Sequence, residues 1–178
     1  LKDTPATAAM QADVDEMDSM IEGYLEFAGD AAGEQVVNTD INALLNESAD
    51  DARRQGAIVE YNYKNELLGR IRPLSLKRCV DNLLGNAHRY AEKCSLAARR
   101  DGEMVLITVE DDGPGIPEIE REAAFRPFYR LENSRNQGTG GVGLGLAITR
   151  DTIRNQGGDV ILDDASPRGL RATIRLPA

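Results

Sequence analysis

Four short segments stand in one order along the chain, and each dictates a local backbone. Asn82-Leu83-Leu84-Gly85-Asn86-Ala87-His88-Arg89-Tyr90 belongs to a helix opened by Pro73, a residue suited to a first helical turn. Its Leu76, Cys79, Val80, Leu83, Leu84 and Ala87 make one apolar face. Asn82, Asn86 and Arg89, at steps of four and three, line up as a polar stripe beside that face. Asp111-Asp112-Gly113-Pro114-Gly115-Ile116 follows the alternating Val105, Ile107 and Val109, so a strand must end there in a turn. Phe125-Arg126-Pro127-Phe128 is an aromatic pair around a proline. Gly138-Thr139-Gly140-Gly141-Val142-Gly143-Leu144-Gly145-Leu146 is a glycine-rich run that opens a helix from about Leu144 to Asn155.

The remaining punctuation fills in a single mixed fold. Asp40 is a plausible N-cap for a helix carrying Ile41, Leu44, Leu45 and Ala49 and ending near Gly56. Val59, Tyr61 and Tyr63 alternate as in a half-buried strand, and 67–71 is the expected hairpin partner. Segments 95–99 and 104–110 flank Arg100-Asp101-Gly102, whose Asp-Gly signals a tight hairpin. Residues 117–140 are polar, rich in turn formers and too irregular for core. After Gly157-Gly158, two closing strands at 160–162 and 170–176 bracket a turn at Pro167-Arg168-Gly169. The expected class is α+β: a two-layer α/β sandwich with a mixed sheet, spanning 36–178.

A separate element precedes it. Met10, Val14, Met17, Ile21, Tyr24 and Ala28 alternate steps of four and three, the seam of a helix that packs on another helix. The expected organisation is a front helix within 1–30, a linker at 31–35 and the sandwich beyond. Charge divides the same way. Residues 1–50 carry twelve acidic side chains against one lysine, whereas the remainder carries eighteen acids against twenty bases. An acidic front and a near-neutral body do not suit a nucleic-acid binder. No apolar run approaches the roughly 20 residues of a membrane span, and no signal peptide opens the chain, so direct membrane contact is not expected. Cys79 and Cys94 lack metal-ligand spacing and read as free thiols of a reducing cytoplasm.

Together the four segments offer what an ATP site needs. An asparagine oxygen suits Mg²⁺, which shares its oxygen ligands with phosphates. A carboxylate in the second segment can accept from the exocyclic amine of adenine, where guanine presents an oxygen. Gly113 and Gly115 let the backbone approach a base. Backbone N–H groups of Gly141, Val142, Gly143, Leu144, Gly145 and Leu146, with the helix N-terminus behind them, can hold phosphate. No strand precedes that run and no G-K-[ST] follows, so it is neither a dinucleotide fingerprint nor a P-loop.

This order, covering 76–148, resembles the ATP-binding catalytic domain of sensor histidine kinases, in the superfamily that also holds type II topoisomerases, Hsp90 and MutL. The resemblance implies the Bergerat-type ATP-binding fold. It places the metal ligand at Asn86, a phosphate-reaching base at Arg89 and a wall of the nucleotide pocket at Tyr90. It makes Asp111 the adenine partner, leaves Asp112 secondary, and includes Ile116 and Asn82 in the pocket. Phe125 and Phe128 would anchor a movable lid, with Arg130 and Arg135 meeting phosphate. The front helix resembles the second helix of the dimerisation and phosphotransfer hairpin of osmosensor-like kinases.

What is missing narrows the class. In the superfamily's ATPases a glutamate four positions before the metal asparagine activates water; here that position is Asn82, which cannot act as a base. The sole histidine, His88, lies on the nucleotide's own helix, where it cannot meet the γ-phosphate in line. No catalytic residue is therefore identified in the chain itself. The resemblance implies a kinase domain that binds Mg²⁺-ATP and phosphorylates a histidine on a first dimerisation helix, removed by truncation of a longer protein. Its partners would be that helix, a second copy and a response-regulator receiver domain. Its place would be the cytoplasmic part of an inner-membrane sensor. The alternatives are a non-catalytic ATP-binding regulatory module and an anti-sigma serine kinase, the latter lacking a heptad front helix.

Overall fold

The structure, a computed structural model, describes residues 33–61, 63, 65–131 and 143–177. The front heptad at 10–28, the linker up to residue 32, Arg135, and Gly141 and Val142 lie outside the described residues.

The chain enters through strand β1 (Val37–Asp40) and helix α1 (Ile41–Arg54). Asp40 is the N-cap, its carboxylate accepting from Asn42 N–H at 3.0 Å. Strands β2 (Ile58–Tyr61) and β3 (Leu68–Ile71) follow, then helix α2 (Pro73–Tyr90), with Pro73 in its first turn. Strands β4 (Lys93–Asp101) and β5 (Met104–Asp111) form the expected hairpin, pairing Asp101 with Met104 so that Gly102-Glu103 makes the turn. Gly102 has φ +62°, a conformation glycine adopts without strain. A short helix α3 (Glu118–Arg121) and a 3₁₀ turn (Ala123–Phe125) lead to the chain's last helix, α4 (Gly145–Arg154). Strands β6 (Asp159–Asp164) and β7 (Leu170–Pro177) close the fold.

The main sheet has five strands in the order β2-β4-β5-β7-β6, with β2 parallel to β4 and the remaining neighbours antiparallel. Val59, Cys94, Leu96, Val105, Ile107, Val109, Val160, Leu162, Ala172, Ile174 and Leu176 are buried on its inner side. Alternate residues such as Ser95, Thr108 and Thr173 are only half-buried, the period-two pattern of a sheet covered on one side. The covering layer is α1 against β2 and β4, α2 against β4 and β5, and α4 against β6 and β7. The central α2 inserts Leu76, Cys79, Val80, Leu83, Leu84 and Ala87, all buried as its apolar spacing predicts. This two-layer mixed sandwich is the class expected from the sequence.

Two expectations need correction. Segment 67–71 is not the hairpin partner of β2. β3 pairs antiparallel with β1, Val37 opposite Ile71, in a separate two-stranded sheet. The reason lies in Asp40, whose carboxylate accepts from Leu67 N–H at 3.2 Å as well as from Asn42, while Ile41 N–H donates to Leu67 at 2.8 Å. These bonds fix the chain before β3 at the head of α1, away from β2. The start of 117–140 is also less peripheral than its polarity suggested. Ala124 is buried in the core, with Phe125, Tyr129 and Leu131 packed against it.

Candidate nucleotide site

The described parts of all four segments meet at one end of the sandwich, and glycines mark the seams. At Gly113 a Cβ would stand 2.8 Å from the Tyr90 carbonyl oxygen and 3.0 Å from Asp111 Oδ1, so the end of α2 and the turn after β5 touch through bare backbone. At Gly145 a Cβ would lie 3.8 Å from Asn82 Cγ, which puts that amide beside the first turn of α4. Gly143 has φ +76°, and its Cβ would meet the Tyr129 carbonyl oxygen at 2.8 Å. Phe128 N–H donates to the Gly143 carbonyl at 3.0 Å, tying the third segment to the fourth.

Asp111, at the end of β5, is half-buried. One oxygen, Oδ1, accepts from Gly113 N–H at 2.9 Å and Leu170 N–H at 3.1 Å. Burial pushes its carboxyl above the usual aspartate range, partly offset by those two donors. With Oδ1 held by two backbone donors, the direction of the carboxylate is fixed. Asp112 does different work. Its exposed carboxylate accepts from Glu92 N–H at 3.0 Å and Lys93 N–H at 3.1 Å, fixing the start of β4. Lys93 N–H is the first cause of the lowering of its pKa. Ile116 is buried beneath the turn, and Gly115, at φ +73°, lies against Gly169, 3.0 Å from its carbonyl oxygen to a would-be Cβ.

On α2, Asn82, Asn86 and Tyr90 are half-buried and Arg89 is exposed, one polar stripe flanking the buried face. At α4, Leu144 occupies the cap position and offers no side-chain oxygen to the first-turn N–H groups. The described N-terminus of this ten-residue helix is therefore suited to an anion. Gly143, Leu144, Gly145 and Leu146 are all half-buried there, and Leu146 packs on the core. Arg130 is half-buried two residues beyond the Phe128 to Gly143 bond. Among the described residues no group of three or more His, Cys, Asp or Glu could hold a metal. An ion here would need the phosphates themselves as partners, which suits the amide-only stripe of Asn82 and Asn86.

The third segment departs from expectation. Phe125 is half-buried, but Phe128 is 59% exposed with φ +64°, so it does not anchor the segment. The firm attachment is Arg150 of α4. Its guanidinium sits 4.2 Å over the Phe125 ring, bonds Glu122 at 2.8 Å and bonds Asp159 at 2.9 Å. Although burial would raise it, Arg154 and Arg150 hold the Asp159 carboxyl well below the usual carboxylate range. Sequence reasoning missed this cluster, and missed the part of Gly169 and Leu170 under Asp111. The turn at 167–169 was visible, but its distant partner carried no local signal.

His88 is exposed and lines a cleft of about 280 Å³ between α1 and α2, with Asp51, Gln55, Asp81 and Gly85. Lys77 spans that cleft's acids, 2.7 Å from Asp51 and 3.1 Å from Asp81. The histidine thus shares a cleft with α1, whereas Asn82 contacts α4. Cys79 and Cys94 are buried thiols that form no disulfide, and burial, with the charges of Asp111 and Asp112, pushes the Cys94 thiol up to about 11.

These features define a class: a two-layer sandwich that brings a strand-end carboxylate, an amide stripe and an uncapped helix terminus to one end of its sheet. Residues 71–178 match the family of histidine kinase-, DNA gyrase B-, and HSP90-like ATPases, and the chain belongs to that family. It is 38% identical over 172 residues to the sensor histidine kinase GtrS of Pseudomonas aeruginosa, covering 93% of this chain and 34% of that protein. It is 33% identical over 178 residues to the sensor histidine kinase CpxA of Escherichia coli, covering 94% of this chain and 38% of that one. The chain thus spans little more than a third of these relatives. Among solved structures, the ATP binding domain of PrrB from Mycobacterium tuberculosis superposes with a TM-score of 0.67 at 30% identity, over 81% of this chain and 98% of that one.

Proposed function

We propose that the chain is the ATP-binding catalytic domain of a sensor histidine kinase, which binds Mg²⁺-ATP and gives its γ-phosphate to a histidine on a helix outside this chain. The observation that carries this reading is Asn82, whose amide lies against Gly145 at the uncapped end of α4. An ATPase of this family would need a carboxylate there to activate water, and an amide cannot take the proton. The site is then suited to holding ATP for a nucleophile supplied from elsewhere.

In this reading adenine donates its amine to Asp111, Gly113 and Gly115 let the base lie close to backbone, and Tyr90 and Ile116 wall the pocket. Asn86, with Asn82 beside it, would hold Mg²⁺ jointly with the phosphates, where the ion supplies charge neutralisation. Arg89 and Arg130 face phosphate, and the N–H groups of 143–146 receive it, together with Gly141 and Val142. Residues 1–30 would be the second helix of a dimerisation hairpin, paired with the missing first helix and a second copy. The phosphate would pass onward to a receiver domain on the cytoplasmic face of a membrane sensor. No helix among the described residues is long and apolar enough to cross a membrane.

Calorimetry with ATP and GTP, each with and without Mg²⁺, tests the binding half. Tight binding of Mg²⁺-ATP, with weaker GTP binding and a clear metal dependence, is expected. Equal affinity for both nucleotides would remove Asp111 as the adenine partner.

A further inference from the structure

Helix α2 carries the amide stripe, yet no residue beside it caps its N-terminus. Arg72 stands at the cap position with no side-chain bond, and Pro73 has no N–H. The acceptor comes instead from forty residues upstream. Glu34 Oε1 accepts from Leu74 N–H at 2.6 Å, while Oε2 accepts from Ser75 N–H at 2.9 Å and Ser75 Oγ at 2.5 Å. A carboxylate at a helix N-terminus gains from both charged hydrogen bonds and the helix dipole. Because both oxygens are engaged, the Glu34 side chain is fixed in direction as well as position. Only Gln35 and Val36 separate it from β1, β1 pairs with β3, and β3 leads through Arg72 back into α2. Glu34 closes that circuit.

A local aspartate at position 72 would cap the helix equally well. What a distant cap adds is a fixed exit for the chain that precedes it. We propose that Glu34 is a positioning residue for phosphoryl transfer. By capping α2 it sets where, and in what direction, the segment before residue 34 leaves the ATP-binding fold, and hence where the acceptor helix stands relative to the phosphates. This rests on the kinase reading above for its consequence, but not for the latch itself.

The test uses the full chain in three forms: wild type, Glu34→Ala, and Glu34→Ala combined with Arg72→Asp, which restores a local cap without the tether. Spin labels at Met20→Cys and Glu103→Cys report the distance between the front segment and the domain, since Cys79 and Cys94 are buried. Hydrogen exchange at Leu74 and Ser75 reports the cap. Glu34→Ala should broaden the distance distribution and speed exchange at both amides roughly fivefold, the effect of losing one cap. The double variant should recover slow exchange but keep the broad distribution. ATP affinity should stay the same in all three, while transfer to an added first-helix peptide falls severalfold in both variants with the KM for ATP unchanged. An unchanged distribution in Glu34→Ala, or full recovery of transfer by Arg72→Asp, would overturn the proposal and leave Glu34 a mere helix cap. Absence of ATP binding in the wild type would instead sink the kinase reading, and the distance measurement would still judge the latch.

Discussion

At the scale of single residues, Asp111 is held in a conflict that makes it informative. Its carboxylate is half-buried and its pKa is raised, so between 3.8, the ordinary value, and the folded value the folded state binds more protons than the unfolded one. Stability therefore falls as pH rises through that window, and the cost of the buried charge is complete above it. Asp111→Asn keeps an oxygen for Gly113 and Leu170 but removes the charge. The ligand-free variant is expected to melt above wild type at neutral pH, with the gap closing below pH 3.8. The same change should weaken ATP binding by about 1–3 kcal/mol, because the NH2 that replaces Oδ2 is a donor and leaves the amine facing another donor. Thermal melts at two pH values and ATP titration check both signs, and a variant that gains stability without losing affinity would contradict the adenine role. Asn86→Ala should remove most of the Mg²⁺ dependence of ATP affinity while sparing metal-free binding. Calorimetry with and without the ion reads this directly, and an equal Mg²⁺ effect in both proteins would clear Asn86 of metal contact. Asp111 and Asn86 stood out in the sequence because each sits in a local pattern, a strand-to-turn junction or a helical stripe. Glu34, Arg150 and Leu170 did not, since their partners are far away in sequence and nothing nearby marks the pairing.

At the scale of elements, α2 was the most legible part of the chain. Its apolar spacing, Pro73 and the polar stripe agreed with one another, and the structure buries the predicted face. β3 was the least legible: four residues cannot declare which strand they join, and a carboxylate on Asp40 decides it. Gly85 lies within α2, where glycine costs about 1 kcal/mol relative to alanine, and an added Cβ there meets nothing within 4 Å. Gly85→Ala should therefore stabilise the domain by about 1 kcal/mol, raising its melting temperature by a few degrees with ATP affinity unchanged. A loss of stability would show that the cleft beside His88 needs that space. The third segment was read as an anchoring aromatic pair, but only Phe125 packs on the core, because burial of a phenylalanine depends on tertiary partners that its own neighbours do not reveal.

At the scale of the whole molecule, the four segments were legible as a set because they stand in one order, and the structure brings their described parts together, even though each alone is only a turn or a helix. The expectation that follows is a division of labour. With labelled ATP the chain alone should form no acid-labile phosphate on His88 and should hydrolyse ATP slowly, yet should phosphorylate an added peptide that carries the first dimerisation helix of the same parent protein. Gel autoradiography with and without the peptide reads both. Rapid multiple-turnover hydrolysis without the peptide would show that Asn82 does not prevent water from being activated.

The contact between Asp111 and the closing hairpin reaches further than its two bonds suggest. A Cβ on Gly169 would run into the Asp111 carbonyl, and Leu170 N–H orients the carboxylate from below. All four sequence segments are complete by Leu146, but the floor that aims Asp111 arrives some twenty residues later, and β7 finishes only at Pro177. On a ribosome, then, a nascent chain displaying every recognisable motif would still hold the Asp111 carboxylate unaimed. If Asp111 is the adenine partner proposed above, ligand affinity would switch on with the last strand, so nucleotide can hold the finished fold together but cannot template its beginning.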